Sequence, residues 1–267
     1  MIHHIVPQGT DKVITLGSEI VYGQRREWCG ATWRPLRMSF MRSRQYFYYD
    51  EKETLPLLVF FCGGGYTTVD HNVWMPELAW YAKRGWAVAS VEYSVTARTK
   101  FPEQLEDCKQ AIRWLRAHAE DLGIDPNRVV VMGESAGAYM SDLVGLTGEA
   151  REYDKGEYPQ QSSAVQGVVS FYAPVTPASS TLMDERRRLL PDLPPLARET
   201  TPPFLFLHGT RDSQVDLRQS ELLYEALQEK GVRSELYIFD GAEHADAPFY
   251  QEEVKQIILD FMNKCIE

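Results

Sequence analysis

Short apolar runs recur along the chain at residues 57–62, 86–94, 128–133, 165–175, 204–209 and 234–240, each bounded by turn-forming residues. Several are apolar almost throughout, which predicts strands buried on both faces of a parallel sheet rather than strands with one wet face. Between them the period changes. Over 103–122, Leu105, Cys108, Ile112, Leu115 and Ala119 recur at steps of three and four, predicting a helix with one buried stripe. Val254, Ile257, Ile258, Phe261 and Cys265 mark a closing helix in the same way. Strand and helix in alternation imply right-handed crossovers and an open α/β sheet, mostly parallel, with helices on both faces.

A chain of 267 residues suits a single domain, 1–267, around one sizeable interior. The stretch 176–203 breaks the rhythm with proline and charge, and reads equally as a small cap or as a long solvated connection. No repeat or low-complexity segment appears.

The formal net charge of -10 opposes a phosphate backbone or an anionic lipid surface, so neither nucleic acid nor a membrane is expected as partner. Arg25, Arg26, Arg34, Arg37, Arg42 and Arg44 form a local basic cluster that reads best as a solvated face, although it is also compatible with an acidic substrate or a neighbouring subunit in an oligomer. No apolar run reaches the length of a membrane span and the first residues do not resemble a signal peptide. A cytoplasmic location is the expectation. Cys29, Cys62, Cys108 and Cys265 are scattered without a CxxC pair, which suits free thiols and argues against a zinc site.

The candidate chemistry lies where a predicted strand meets a predicted helix. Gly133-Glu134-Ser135-Ala136-Gly137 follows the run 128–133 and has the form of a nucleophile elbow, in which glycines let strand and helix backbones approach while Ser135 projects from the sheet edge. A serine hydroxyl needs a base and an orienting carboxylate. Of the six histidines, His3 and His4 are terminal, His71 is in a loop, His118 is late in a helix, and His208 ends a strand where a structural role is expected. His244, in the loop between the last strand and the last helix, remains as the base. Asp212, just past the run 204–209, is the preferred acid over Asp216 and Asp240. The three glycines after Cys62 place the amides of Gly64 and Gly65 where, with that of Ala136, they would hold an oxyanion.

"CGGGY", the stretch from Pro102 to Tyr139, "TPPFLFLHGTRDSQV" and "GAEHA" together resemble the α/β-hydrolase esterases of the carboxylesterase and hormone-sensitive lipase type. Within that group the chain is most similar to bacterial carbohydrate esterases that remove acetyl or feruloyl groups. The resemblance implies an α/β-hydrolase fold with Ser135 as nucleophile, Asp212 as acid, His244 as base and an oxyanion hole from Gly64, Gly65 and Ala136, acting without cofactor or metal on a small-molecule or oligosaccharide ester. The family usually has histidine where this chain has Cys62, so the oxyanion loop must be braced differently. Cys62 itself reads as a buried thiol, not a second nucleophile.

Rival readings are a peptidase of the prolyl oligopeptidase type, which usually carries a propeller too large for this length; a dienelactone hydrolase, which would have cysteine at the elbow; a lipase-like esterase; and an inactive ligand receptor, which would be expected to lack a triad member. The charges of 176–203, among them Asp184, Glu185, Arg186, Arg187, Arg188, Asp192, Arg198 and Glu199, suit short acyl groups better than long ones. Tyr66, Trp74, Tyr93, Tyr139 and Phe171 are placed to stack on a sugar or hydroxycinnamoyl ring, or simply to pack the core.

Overall fold

A computed structural model describes residues 1–6, 12–27, 30–44, 53–96, 98–148, 150–178 and 189–267. Eight strands form one sheet in the order β1-β2-β4-β3-β5-β6-β7-β8. The strands are β1 (Ile14–Glu27), β2 (Thr32–Ser43), β3 (Leu55–Phe61), β4 (Ala87–Val91), β5 (Ile124–Glu134), β6 (Gly167–Phe171), β7 (Phe204–Gly209) and β8 (Ser234–Phe239). From β4 to β8 in that order every neighbouring pair is parallel, whereas β1/β2 and β2/β4 are antiparallel.

The parallel strands are buried because each pleat serves a different core. In β5, Val129 and Val131 face one side with Leu57 and Val59 of β3, while Val130 and Met132 face the other with Leu58 and Phe60. Helices α2 (Glu103–Ala117), α4 (Ala136–Leu146) and α5 (Arg218–Glu229) cover the first side, where Leu105, Cys108, Ile112 and Leu115 of α2 insert as the sequence stripe predicts. Helices α1 (Met75–Lys83) and α6 (Glu252–Ile266) cover the second, through Leu78, Val254, Ile258 and Phe261. Each such aliphatic or aromatic side chain contributes roughly 1.5–3 kcal/mol by leaving water.

Three features depart from the sequence reading. The helical pattern over 103–122 is divided at His118, where the backbone turns before a single further turn, α3 (Ala119–Leu122). The β1/β2 hairpin was not anticipated. The arginine cluster is only in part a solvated face: Arg25 pairs with Glu106 and Asp107 and Arg34 with Glu27 and Glu92, whereas Arg26 is exposed and the Arg37–Glu19 pair lies in solvent. The Arg25 pairs fasten the hairpin to α2 and the Arg34–Glu92 pair fastens it to the residue after β4, while the Glu27 and Glu19 pairs join its two strands.

The described parts of 176–203 are tied down. Leu190 and Leu193 are buried, Leu193 N–H donates to the Val175 carbonyl, and the Tyr139 hydroxyl donates to the Pro191 carbonyl at 2.8 Å. Residues 179–188, with Asp184, Glu185, Arg186, Arg187 and Arg188, and also Cys29, lie outside the described residues. Cys62, Cys108 and Cys265 are free thiols. Among the described residues no helix is long and apolar enough to cross a membrane.

Candidate active site

Register decides which side chains meet. Phe61 pairs with Gly133 and Glu134 with Phe171, and Gly209 ends level with Phe239, so the loops after β3, β5, β6, β7 and β8 leave from one edge. This is the edge at which open α/β sheets hold ligands.

At the end of β5 the chain turns sharply into α4. Ser135 carries φ 54° and ψ -124°, a strained conformation for a residue with a side chain, held in place by its amide donating to the Phe171 carbonyl at 2.9 Å. The turn is so tight that a Cβ on Gly137 would collide with the Phe61 carbonyl and the Cys62 backbone. Glycine therefore sets the distance between α4 and the loop after β3.

Ser135, His244 and Asp212 form a continuous hydrogen-bonded chain. His244 Nε2 lies 3.0 Å from Ser135 Oγ, and His244 Nδ1 lies 2.7 Å from Asp212 Oδ2. Because Asp212 accepts the Nδ1 proton, Nε2 is left as the acceptor facing the serine hydroxyl. Asp212 is itself fixed: Oδ1 accepts from the amides of Gln214 and Val215 at 2.9 and 2.7 Å. Burial pushes its carboxyl upward, but hydrogen bonding from His208, His244 and the two amides outweighs burial and holds it well below the usual carboxylate range.

His208, for which a structural role was expected, is buried and bonded through both nitrogens. Its Nε2–H donates to the Val215 carbonyl at 2.9 Å, with Asp212 Oδ2 3.4 Å away, while Nδ1 accepts from the Ser220 hydroxyl at 2.7 Å. Asp216 serves the following helix, accepting from the Arg218 amide at 2.8 Å.

The loop after β3 passes over the elbow. Gly64 has φ 138°, and a Cβ there would collide with the Thr68 backbone. Its carbonyl accepts from the amides of Thr67 and Thr68 at 3.0 and 3.2 Å, which curls the loop. Among the described residues, the amides of Gly64, Gly65 and Ala136 donate to no protein acceptor.

The brace that replaces the missing histidine is Glu134, which sequence reasoning did not single out. Its Oε1 accepts from the Gly63 amide and from Trp74 Nε1 at 3.2 Å, with Cys62 Sγ at 3.8 Å. Burial raises the Glu134 carboxyl above its ordinary value, opposed by the Gly63 and Trp74 donors. Cys62 is pushed up to about 12, first by burial and then by the Glu134 charge, which leaves an inert thiol. The one signal for this role in the sequence was position: Glu134 precedes Ser135, so strand alternation sends its side chain to the opposite face. Among the described residues, no group of three or more His, Cys, Asp or Glu side chains is gathered to hold a metal ion.

A protein-family model described as BD-FAE matches residues 46–227. The chain belongs to the BD-FAE family. Among curated proteins, this BD-FAE member is 31% identical over 195 residues to Esterase LipC of Mycobacterium tuberculosis, covering 65% of this chain and 48% of that one. It is 26% identical over 219 residues to the probable carboxylic ester hydrolase LipM of the same organism, covering 74% and 49%. The chain thus spans about half the length of the curated relatives it matches. Among solved structures it superposes on a truncated carbohydrate esterase from gut microbiota with TM-score 0.75 at 18% identity, over 96% of this chain and 98% of that one. An acetyl ester-xyloside bifunctional hydrolase from Caldicellulosiruptor lactoaceticus aligns with TM-score 0.67 at 25% identity, over 87% and 86%. The fold is that of the α/β-hydrolase esterases.

Proposed function

We propose that this BD-FAE member is a serine carboxylic-ester hydrolase that cleaves short-chain acyl esters, acetyl or feruloyl groups on saccharides above all. The observation that carries the reading is the hydrogen-bonded chain from Ser135 through His244 to Asp212, ending on a carboxylate held strongly ionised. In this reading His244 Nε2 takes the Ser135 proton as Oγ attacks the ester carbonyl. Negative charge developing on the carbonyl oxygen is received by the amides of Gly64, Gly65 and Ala136. The protonated His244, stabilised by Asp212, then donates to the departing alcohol oxygen. Water attacks the resulting acyl-enzyme, with His244 as base a second time, and restores Ser135. The relatives named as esterases support the reaction type, and the carbohydrate esterase and acetyl ester-xyloside hydrolase among the structural neighbours support the substrate class.

The test is hydrolysis of aryl acetates, acetylated xylo-oligosaccharides and methyl ferulate by the wild type and by Ser135→Ala. The variant is expected to fold and to lose about 10⁴-fold or more in kcat/KM. Activity surviving in Ser135→Ala would refute the mechanism, and a wild type preferring acyl chains of about eight carbons would refute the substrate class.

A further inference from the structure

Near the hydrogen-bonded chain lies a cavity of about 20 Å³. It sits between α1, α6 and the ends of β3, β5 and β6, with Phe60, Met132, Phe171 and Phe249 among its walls. It touches the elbow at two points. Glu134, the residue before Ser135, lines it, and so does Phe171, whose carbonyl receives the Ser135 amide. Its outer end carries the Glu77–Lys255 ion pair.

Two half-buried rings line the cavity beside Glu134. Trp74 and Tyr250 are stacked, with centroids 4.6 Å apart and planes 17° from parallel. Each is anchored to the machinery on its own side. Trp74 Nε1 donates to Glu134, the brace of the oxyanion loop, at 3.2 Å. The Tyr250 hydroxyl shares a 2.8 Å hydrogen bond with the Tyr172 hydroxyl, and the Tyr172 ring lies 4.5 Å from that of His244. The stacked pair therefore spans the gap from the Gly63 side of the site to the His244 side.

We propose that the Trp74–Tyr250 stack is the partition that sets acyl-chain length and so selects acetyl over feruloyl within the substrate class above: closed, it confines the acyl group to about two or three carbons, and behind it lies an apolar cavity that a longer chain would enter if the stack were opened. The inference rests on the ester-hydrolase reading above and adds its acyl selectivity. The physical basis is that an apolar wall stops a chain by contact, while each methylene that gains an apolar pocket raises affinity about fourfold. The present volume holds one small group, so it offers a longer chain nothing until a ring is removed.

The experiment measures kcat/KM for p-nitrophenyl acetate, butyrate and hexanoate, and for acetates of longer alcohols, with the wild type, Tyr250→Ala, Tyr250→Leu and Tyr250→Phe. The wild type is expected to prefer acetate to hexanoate by at least tenfold. In Tyr250→Ala, and more weakly in Tyr250→Leu, the hexanoate-to-acetate ratio should rise about tenfold or more. Tyr250→Phe, which keeps the ring and loses only the Tyr172 contact, should hold that ratio within twofold. A wild type that cleaves hexanoate as well as acetate overturns the proposal even if no variant folds. So does an unchanged ratio in a folded, active Tyr250→Ala or Tyr250→Leu, or a broadening seen in the alcohol series alone. A wild type that hydrolyses no ester at all removes the ester-hydrolase reading, and this proposal with it.

Discussion

Removing the Glu134 carboxylate should slow ester hydrolysis without weakening substrate binding. The carboxylate is the only protein acceptor seen for the Gly63 amide among the described residues, and it also accepts from Trp74. In Glu134→Ala the buried Gly63 N–H loses its partner, a penalty of about 1–3 kcal/mol. Relief requires the loop to shift, and the next two amides in that loop are those of Gly64 and Gly65. If the penalty is expressed as misalignment of those donors, the barrier rises by a similar amount, or about 5- to 150-fold in kcat. Glu134→Gln retains an acceptor oxygen but loses the charge, and charge-assisted bonds are roughly twice as strong as neutral ones, so its loss should be smaller, about 3- to 20-fold. The assay is kcat and KM on an aryl acetate for both variants, with thermal melts to establish folding. A Glu134→Ala enzyme within threefold of wild type in kcat, or one changed only in KM, would refute the reasoning.

Asp212→Asn should cost about 10⁴-fold in kcat by turning the His244 tautomer, while Asp216→Asn and Asp240→Asn stay within about threefold; a reversed order in the same rate assay would move the acid elsewhere. Cys62, with its thiol pushed up to about 12, should resist iodoacetamide at about pH 8 in the folded protein, with activity retained, as read by intact mass and rate. Asp142 of α4 is wholly buried, accepts from the Ser170 hydroxyl at 3.0 Å, and has a second oxygen with no partner among the described residues, so burial raises its carboxyl well above the ordinary value. The folded chain then keeps a proton that the unfolded chain releases near pH ~4, so stability falls as pH rises above that point, and Asp142→Asn should gain in melting temperature over wild type between about pH 5 and pH 8. A gap that stays constant across that range would contradict the assignment.

The parallel half of the sheet was legible because its strands are buried on both faces and leave continuous apolar runs, and β7 matches the run 204–209 to the residue. The β1/β2 hairpin was not. Along β1 most residues are exposed or half-exposed, so no run or clean alternation forms, and its arginines look solvated until partners 7 to 82 positions away are brought alongside. The order Ser135, Asp212, His244 was readable from strand ends, since each follows an apolar run by one short turn. What local pattern could not supply was the partner of the Gly63 amide. Cys62 in place of histidine announced that a brace was needed, but the glutamate that provides it lies 71 residues further on and meets the loop only through the β3/β5 register.

That register also explains how adjacent residues take opposed duties. Glu134 is the last residue of β5, so the pleat that sends Val130 and Met132 toward α1 and α6 sends its carboxylate the same way, onto the Gly63 amide of the loop after β3 and onto Trp74. Ser135 leaves the strand at φ 54°, which breaks the alternation and lifts Oγ to His244. Gly137 then allows α4 to start against the end of β3, bringing the Ala136 amide beside the same loop that Glu134 holds from the other face. The turn is thus fixed to the loop from two sides, by a backbone approach only glycine permits and by a buried carboxylate. Strain at Ser135 persists because both attachments oppose its relaxation. A substitution at either one is therefore expected to disturb the amides of Gly64, Gly65 and Ala136 and the Ser135 hydroxyl together, not one of them alone.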